Sequence, residues 1–266
     1  MTVTMDQIST QTIDQNLAIY IPAYNAALTL PGVLDRIPSQ VRSTAKKILV
    51  VDNHSSDNTS LVALDYKSQN GLQNLEVIRN EKNVGYGGSQ KVGYQHCIDQ
   101  DYRFVVMLHS DGQYAPELIE KIIAPLVRGE AEMVFGSRMA GDPRKGGMPF
   151  HRYWGNRVLT TIQNWTLGSR FSEFHSGYRA FSVEALKKVP FQRLSSDYHF
   201  DTEMIILFRQ AGLRIAEFPI PTHYGDEKNY VNIWKYGMDC LVTTTTYWLH
   251  TKGIRHSRNW ARILAK

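Results

Sequence analysis

The sequence is poor in cysteine and has no long apolar run. Only Cys97 and Cys240 occur among its 266 residues, too few for a disulfide framework or a four-cysteine zinc site. The longest nearly uncharged apolar stretch, residues 240–249, contains four threonines and is far shorter than the ~20 residues that cross a bilayer. The N-terminal residues also lack the basic and apolar segments of a secretory signal. We therefore expect a cytoplasmic protein without a membrane span.

The sequence also lacks a strong excess of charge of either sign. It has 30 basic and 25 acidic residues, a net charge of +5. This mild imbalance allows anionic partners but is not typical of a nucleic-acid-binding protein, so we expect no nucleic-acid partner. The hydrophobic fraction of 42% is that of an ordinary globular protein and excludes a disordered or fibrous chain.

Short apolar runs alternate with stretches of helical character along the first half of the chain. The runs at 17–22, 46–52, 75–78, 104–108 and 132–136 predict strands. Strands that alternate with helices indicate βαβ units and a mostly parallel sheet. Further on, the pattern predicts a loop at 138–150, helices at 151–165 and 200–211, and a strand at 213–218. The sequence thus predicts one α/β domain over residues 17–230, a polar N-terminal tail over 1–16 and a basic, aromatic, helical C-terminal extension over 231–266.

Polar residues follow three of the predicted strands. They are the segments 22–25, 52–57 and 109–113. Ligands of open α/β sheets bind at the carboxyl ends of the strands, so these segments predict the site. A carboxylate at Asp52 or Asp111 can accept hydrogen bonds from a base or ribose, or bind a cation such as Mg²⁺. The alternative for Asp52 and Asp57 is that they only cap the next helix.

Six motifs occur in an order that is known from one enzyme family. They are IPAYN at 21–25, VVDNHSSDNT at 50–59, NVGYGGSQKVGY at 83–94, LHSDGQYAPE at 108–117, GSRM at 136–139 and HSGYRAF at 175–181. Together they resemble the family 2 glycosyltransferases, especially the branch that contains the dolichyl- and polyprenyl-phosphate sugar synthases. The resemblance covers about residues 17–230. It implies the GT-A fold, an α/β fold in which helices flank a mostly parallel central sheet.

The resemblance also implies which residues form the site. A nucleotide-sugar donor would be bound by Pro22, Ala23, Tyr24, Asn25, Asp52, Asn53, Gly85, Ser110, Asp111, Arg138 and Lys228. A divalent metal ion, Mg²⁺ or Mn²⁺, would be bound by Asp111, with Gln113 and His109 beside it. The candidate catalytic residues are Asp111 and three further carboxylates, Glu173, Asp201 and Glu203.

The sequence departs from the family pattern at several of these positions. His109 stands where the first aspartate of the family's D-x-D motif is expected, Asn53 replaces a second aspartate, and Ala26 replaces a glutamate. Thr222 replaces an arginine. Histidine binds transition metals and is a poor ligand for Mg²⁺, so His109 favours Mn²⁺ if it binds metal at all. A neutral histidine without a metal is the alternative.

The resemblance implies an inverting glycosyltransferase that moves a sugar from a UDP- or GDP-linked donor to a lipid-phosphate or glycan acceptor. A hydroxyl acceptor needs a general base, for which Glu173, Asp201 and Glu203 are candidates, whereas an ionised phosphate acceptor needs none. Lys228 and the basic, aromatic C-terminus favour polyprenyl phosphate or another lipid-linked acceptor, with peripheral contact at the inner face of the membrane. The C-terminus could instead pack on the catalytic domain or on a partner copy in a homo-oligomer. The alternative function is a catalytically impaired relative that binds nucleotide-sugar in a regulatory or scaffolding role.

Overall fold

A seven-stranded sheet forms the centre of the molecule. The computed structural model describes residues 16–144, 146–221 and 231–265, so Lys228, Thr222 and nearly all of the predicted N-terminal tail lie outside the described residues. The strands are β1 Leu17–Ala23, β2 Lys47–Asp52, β3 Leu75–Arg79, β4 Phe104–Met107, β5 Met133–Ser137, β6 Arg179–Ser182 and β7 Ile215–Pro219. Their order is β3-β2-β1-β4-β6-β5-β7, and only β6 runs antiparallel to its neighbours. The predicted α/β fold with a mostly parallel sheet is confirmed.

Helices cover both faces of this sheet. They are α1 Leu30–Arg36, α2 Ser39–Thr44, α3 Thr59–Gln69, α4 Tyr86–Asp99, α5 Ile119–Val127, α6 Phe150–Leu167, α7 Val183–Leu186, α8 Phe200–Gln210, α9 Ile233–Thr251 and α10 Arg258–Leu264, with short 3₁₀ turns at Pro116–Leu118 and Phe191–Arg193. Successive strand side chains point to opposite faces, so Ile19 packs in one core and Tyr20 in the other. The first core is completed by α1 and α5, and the second by α4 and α8.

Strand β6 has no counterpart among the strands that the sequence predicts. It is only four residues long and begins with the buried Arg179, so it does not form an apolar run. Its pairing partners are distant in sequence: Val106 of β4 and Val134 of β5 both lie opposite Ala180. The strand therefore forms because the sheet supplies partners on both sides, which a local pattern cannot show.

The C-terminal helices pack on the rest of the chain. Helix α10 inserts Trp260, which is 1% exposed, and its indole N–H donates to the carbonyl oxygen of Thr243 on α9 (3.2 Å). Helix α9 in turn packs against α6 and α8. Residues 231–265 are therefore largely helical and fixed to the sheet domain, while their division from it as a separate extension stays a prediction.

The close approach of α4 to the sheet requires glycine at residue 93. A Cβ atom at this position would lie 2.5 Å from the ring of Tyr20, a fully buried residue of β1. Two carbon atoms that are not bonded to each other cannot approach this closely, and the surrounding core prevents the Tyr20 ring from moving away. Gly93 thus sets the distance between α4 and the sheet, and with it the position of the glycine-rich turn before α4.

We expect Gly93→Ala to lower the free energy of unfolding by about 1–3 kcal/mol, because the core must shift to admit one methyl group. Chemical denaturation measures the change. Gly155→Ala is the matched control: Gly155 lies within α6 with no atom near its Cβ position, so alanine should raise the stability by up to about 1 kcal/mol. Equal effects of the two substitutions would contradict the close contact.

Candidate nucleotide-sugar site

The loops after β1 and β2 are joined side by side at the carboxyl edge of the sheet. Asn25 has a left-handed backbone (φ 50°), and its N–H donates to the Ser55 hydroxyl at 2.9 Å. Its side-chain oxygen accepts from the Ser56 N–H at 2.8 Å. Pro22 and Ala23 end β1 immediately before this turn, and the Tyr24 side chain is 40% exposed. The turn therefore presents Tyr24 at the surface beside the loop that follows β2.

Asp52 is fully buried at the end of β2, where it organises the following loop. One carboxylate oxygen accepts from the Ser55 N–H at 2.8 Å, and the other accepts from the Arg79 guanidinium at 3.1 Å and from the Ser60 hydroxyl. These contacts hold in place the loop that contains Ser55 and Ser56, to which Asn25 is hydrogen-bonded. Asp52 is thus part of the predicted site, and its carboxylate is engaged by the protein's own groups.

Asn53 joins the loop after β2 to the glycine-rich turn. Its amide nitrogen donates to Asn83 Oδ1 (3.0 Å) and to the carbonyl oxygen of Gly85 (3.2 Å). Its amide oxygen accepts from the Val84 N–H and from Asn80 Nδ2, both at 3.0 Å. A carboxylate could accept but not donate, so an aspartate here would face two acceptor oxygens. The network therefore requires the amide that replaces the family's aspartate.

Gly85 ends the glycine-rich turn against the loop that precedes α8. Its φ is +81°, and a Cβ atom would overlap the carbonyl oxygen of Ser196. The N–H of Gly87, in the first turn of α4, donates to that same carbonyl at 2.9 Å. The backbone of the two segments is thus in direct contact, which only glycine at residue 85 permits.

The segment after β4 presents a carboxylate at the same edge of the sheet. Ser110 is buried, and Asp111, Gly112 and Gln113 are half-buried. Asp111 Oδ1 accepts from the Gln113 N–H at 3.0 Å, and Arg36 donates to the carbonyl oxygen of Gly112 at 3.0 Å. Among the described residues, the other oxygen of Asp111 has no hydrogen-bond partner, so it is available to a cation.

His109 and Asp201 are linked through Tyr86, the first residue of α4. The Tyr86 hydroxyl lies 2.9 Å from Asp201 Oδ2 and 3.1 Å from His109 Nε2. A phenol has one proton, which the carboxylate attracts, so the Tyr86 oxygen accepts from an Nε2–H of His109. This assignment leaves a lone pair on His109 Nδ1.

Further polar groups hold Asp201, which is 5% exposed. Gln90 Nε2 donates to Asp201 Oδ1 at 3.1 Å, and the fully buried Arg179 guanidinium lies 3.5 Å from the same oxygen. Both oxygens of this carboxylate are therefore engaged inside the protein.

Glu173 and Arg138 form a buried ion pair. Glu173 is fully buried, and its carboxylate accepts from the Arg138 backbone N–H and Nε, both at 2.8 Å, and from Asn156 Nδ2 at 2.7 Å. Burial alone would raise the pKa of Glu173, but the charge and hydrogen bonds of Arg138 hold that pKa below its ordinary value. Glu173 is thus a weak base that orients Arg138.

Glu203 lies apart from these groups although it is only two residues from Asp201. Two residues along an α-helix turn by about 200°, so the two carboxylates occupy nearly opposite faces of α8. Glu203 is 2% exposed and accepts from the Ser195 N–H at 2.7 Å. Burial raises its pKa to about 7, and Lys91 and Arg262 oppose that rise.

A second group of potential metal ligands lies between α8 and α9. Asp197, His199 and Asp239 each offer a ligand atom, and these atoms lie within 4.8 Å of one another. The Lys235 ammonium donates to Asp197 at 2.7 Å and to Asp239 at 2.8 Å. This ammonium provides the positive charge that the two carboxylates require. The group does not include Asp111 or His109.

The strand-end residues that the sequence predicts for the site lie at one edge of the sheet, but the residues that connect them were not among those predicted. Tyr86, Gln90 and Arg179 bridge the predicted His109 and Asp201, and Asn156 completes the partners of Glu173. Tyr86 and Gln90 belong to the glycine-rich motif at 83–94, and this motif is the sequence feature from which their role could have been predicted. For Asn156 the sequence gives none.

The family model "Glycosyl transferase family 2" matches residues 18–190, which is more than half of the chain, so the chain belongs to that family.

Two relatives illustrate its place in the family. It is 29% identical to the UDP-N-acetylglucosamine–dolichyl-phosphate N-acetylglucosaminyltransferase of Methanococcus voltae, over 79% of this chain and 87% of that one. It is 26% identical to the polyprenol monophosphomannose synthase of Mycolicibacterium smegmatis, over 77% of each chain.

Solved structures show the same fold. The glucosyl-3-phosphoglycerate synthase of Mycobacterium tuberculosis, solved with Mn²⁺, UDP and glucosyl-3-phosphoglycerate, matches with a TM-score of 0.67 and 19% identity, over 97% of this chain and 87% of that one. The expected GT-A architecture is thereby confirmed. Within the described residues, none of the helices combines the length and apolar character needed to span a membrane.

The raised pKa of Glu203 predicts a pH-dependent stability. The folded protein holds the Glu203 proton up to about pH 7, whereas the ordinary pKa is 4.5. The resulting stabilisation is complete below pH 4.5 and is lost as the pH rises through about 7. Glu203→Gln removes this titration, so between pH 5 and pH 8 the variant should lose less stability than the wild type, by about 2–3 kcal/mol.

Urea unfolding of both proteins at the two pH values measures this difference. Glu184→Gln, at an exposed position on α7, is the control and should keep the wild-type pH dependence. A parallel pH dependence of the Glu203→Gln variant and the wild type would show that Glu203 is ionised in the folded protein.

Proposed function

We propose that this chain transfers a sugar from a nucleoside-diphosphate-sugar to the phosphate group of a lipid-linked acceptor. The observation that carries the proposal is the state of the three candidate bases. Glu173, Asp201 and Glu203 are 0%, 5% and 2% exposed, and each accepts hydrogen bonds from the protein itself. A hydroxyl acceptor requires a base that can reach it, whereas an ionised phosphate oxygen is already a nucleophile.

The donor would bind across the joined loops after β1, β2 and β4. The exposed Tyr24 ring offers a surface for the base, and the loop that Asp52 and Asn53 hold in place offers backbone groups to the ribose and diphosphate. The names of the two relatives and the UDP held by the structural neighbour support a nucleotide-linked donor. Transfer assays with UDP-sugars and GDP-sugars decide whether the base is uracil or guanine.

The residues after β4 fit a divalent cation. Asp111 offers a carboxylate oxygen, Gln113 lies beside it, and His109 offers Nδ1, a set that accepts Mn²⁺ more readily than Mg²⁺. When bound there, the cation would neutralise the charge that develops on the diphosphate leaving group. We place Lys228, which lies outside the described residues, among the phosphate-binding groups by resemblance to the family.

Arg138 has a defined part in this scheme. Its guanidinium is oriented by Glu173 and by the carbonyl oxygen of His175, and it would add positive charge beside the leaving diphosphate. Glu173 then acts as a positioning residue. With Glu173, Asp201 and Glu203 all engaged within the protein, a glycosyl-enzyme intermediate on any of them is disfavoured, and a single displacement inverts the anomeric carbon.

We expect Asp111→Asn to reduce turnover by about a hundredfold or more, because charge stabilisation of the leaving group acts mainly in the transition state. The fold should be retained, since the side chain is half-buried and makes one backbone contact. Asp65→Asn, at an exposed position of α3, is the matched control and should be as active as the wild type. Wild-type turnover of Asp111→Asn at saturating donor would exclude the proposed metal site.

The acceptor class is tested by direct transfer assays with UDP- and GDP-sugars. A short-chain polyprenyl phosphate in detergent is compared with the corresponding polyprenol and with free sugars. We expect product only with the phosphate, because no candidate base is free to activate a hydroxyl. Transfer to a hydroxyl acceptor in place of the phosphate would reject the proposal, and donor binding without turnover on any acceptor would favour a non-catalytic relative.

A further inference from the structure

Most large apolar side chains of helix α6 face solvent, whereas a helix that packs on a protein core usually buries them. Its buried residues are Thr160, Gln163 and Leu167, two of them polar. Its exposed large apolar residues, spaced by four, four, four and three positions, are Phe150 (77% exposed), Trp154 (51%), Val158 (57%), Ile162 (37%) and Trp165 (72%). The helix is amphipathic, but its apolar stripe faces away from the molecule.

Helix α9, which packs beside α6, has the same inversion. Its buried residues are Cys240, Thr243 and Thr244. Three exposed apolar residues four positions apart form its outer stripe: Trp234 (87% exposed), Met238 (58%) and Val242 (54%). We call these three residues and the five exposed residues of α6 the apolar face.

Contacts in their C-terminal halves hold the two helices side by side. Gln163 of α6 lies 3.5 Å from the Thr244 hydroxyl of α9, in the buried interface. The rings of Trp165 and Trp248 are 5.5 Å apart. Polar groups thus hold the helices to each other and to α8, while large apolar side chains are left in contact with water. An exposed apolar area of this kind marks a contact with another apolar surface.

The charge around the apolar face identifies that surface. Residues 143–172, which include α6, contain five Lys or Arg and no Asp or Glu. Residues 240–266, which include most of α9, also contain five Lys or Arg and no acidic residue. The whole chain has a net charge of only +5, so the rest of it carries a net charge of −5. Positive charge is therefore concentrated in α6 with its flanking residues and in the C-terminal part of the chain, which carries Val242 of the apolar face. Trp234 and Met238 precede that part and lie close in sequence to Lys235 and Asp239.

We propose that the apolar face docks on the surface of an anionic lipid bilayer. Tryptophan and aliphatic side chains would enter the boundary between headgroups and acyl chains, and the basic residues would contact anionic headgroups. A second copy of the chain is a poorer occupant, because pairing this face with itself would bring two strongly basic segments together. The inference does not depend on the acceptor assigned above.

Docking by this face would place the candidate site close to the lipid surface. Asn156 of α6 donates to Glu173, the partner of Arg138. Tyr236 of α9 lies 2.9 Å from His175 through its hydroxyl. Side-chain contacts in the N-terminal halves of both helices thus join them to Glu173 and His175, beside the candidate site.

The experiment is sedimentation of the full chain with vesicles of phosphatidylcholine, with and without phosphatidylglycerol. We expect binding to the anionic vesicles that weakens as salt rises. The double variant Trp154→Gln/Val158→Gln should partition at least about tenfold less, because the two side chains no longer gain from leaving water. The matched control is Leu61→Gln/Leu64→Gln, which changes two exposed leucines of α3 (60% and 48% exposed) and should bind as the wild type does.

Three results would overturn the proposal. The first is no binding of the wild type to anionic vesicles at low salt. The second is an equal loss in the α3 control. The third is a lipid-free dimer that the α6 variant converts to a monomer, which would assign the face to a second copy. Unchanged circular dichroism and unfolding midpoints of both variants show that a loss of binding is not a loss of fold. A failure of the acceptor assay with intact vesicle binding would reject the acceptor alone.

Discussion

One buried guanidinium joins the two segments that carry Glu173 and Asp201 to the sheet. Arg179 of β6 is fully buried and donates to the carbonyl oxygens of Phe174 (2.9 Å), Ser176 (3.0 Å) and Asp201 (2.9 Å). These carbonyls belong to the turn before β6 and to the first turn of α8, which carry Glu173 and Asp201. Without the cation, three carbonyls and one carboxylate would be left buried with fewer partners, a cost of several kcal/mol. The arrangement of the candidate site depends on this contact.

The sequence predicts those parts of the molecule that depend on local pattern. Apolar runs between helices give the parallel strands, and the rule that ligands bind at the carboxyl ends of such strands selects the segments after β1, β2 and β4. Asp57 shows the limit of local pattern, since the sequence left both ligand and cap open. In the structure its carboxylate accepts from the Thr59 N–H at 3.0 Å and from the Ala27 N–H at 3.1 Å, so it joins the start of α3 to the loop after β1. The N-cap residue of α3 is the next residue, Asn58.

Features that depend on contacts between residues far apart in the sequence could not be predicted from local pattern. The ion pair of Arg138 with Glu173 joins positions 35 residues apart, and β6 exists only through strands on both sides of it. Helix α6 illustrates a different limit. The sequence predicts a helix at residues 151–165, but it does not tell which side of the helix faces the core. The default assignment buries the apolar side, whereas here Thr160 and Gln163 face inwards and Trp154 faces out.

The histidine that replaces the first carboxylate of the D-x-D motif is best understood from its partners. Tyr86 donates to Asp201, and the electron density that this carboxylate supplies makes the Tyr86 oxygen a stronger acceptor for the Nε2–H of His109. A histidine that gives one N–H to such a network is held in one tautomer and orientation, the arrangement typical of metal-binding histidines. Asp201 therefore places a carboxylate two hydrogen bonds from the imidazole, although it is 115 residues from Tyr86 in sequence. Within the proposed function, His109 would offer Nδ1 to a cation beside Asp111 and would favour a transition metal over Mg²⁺.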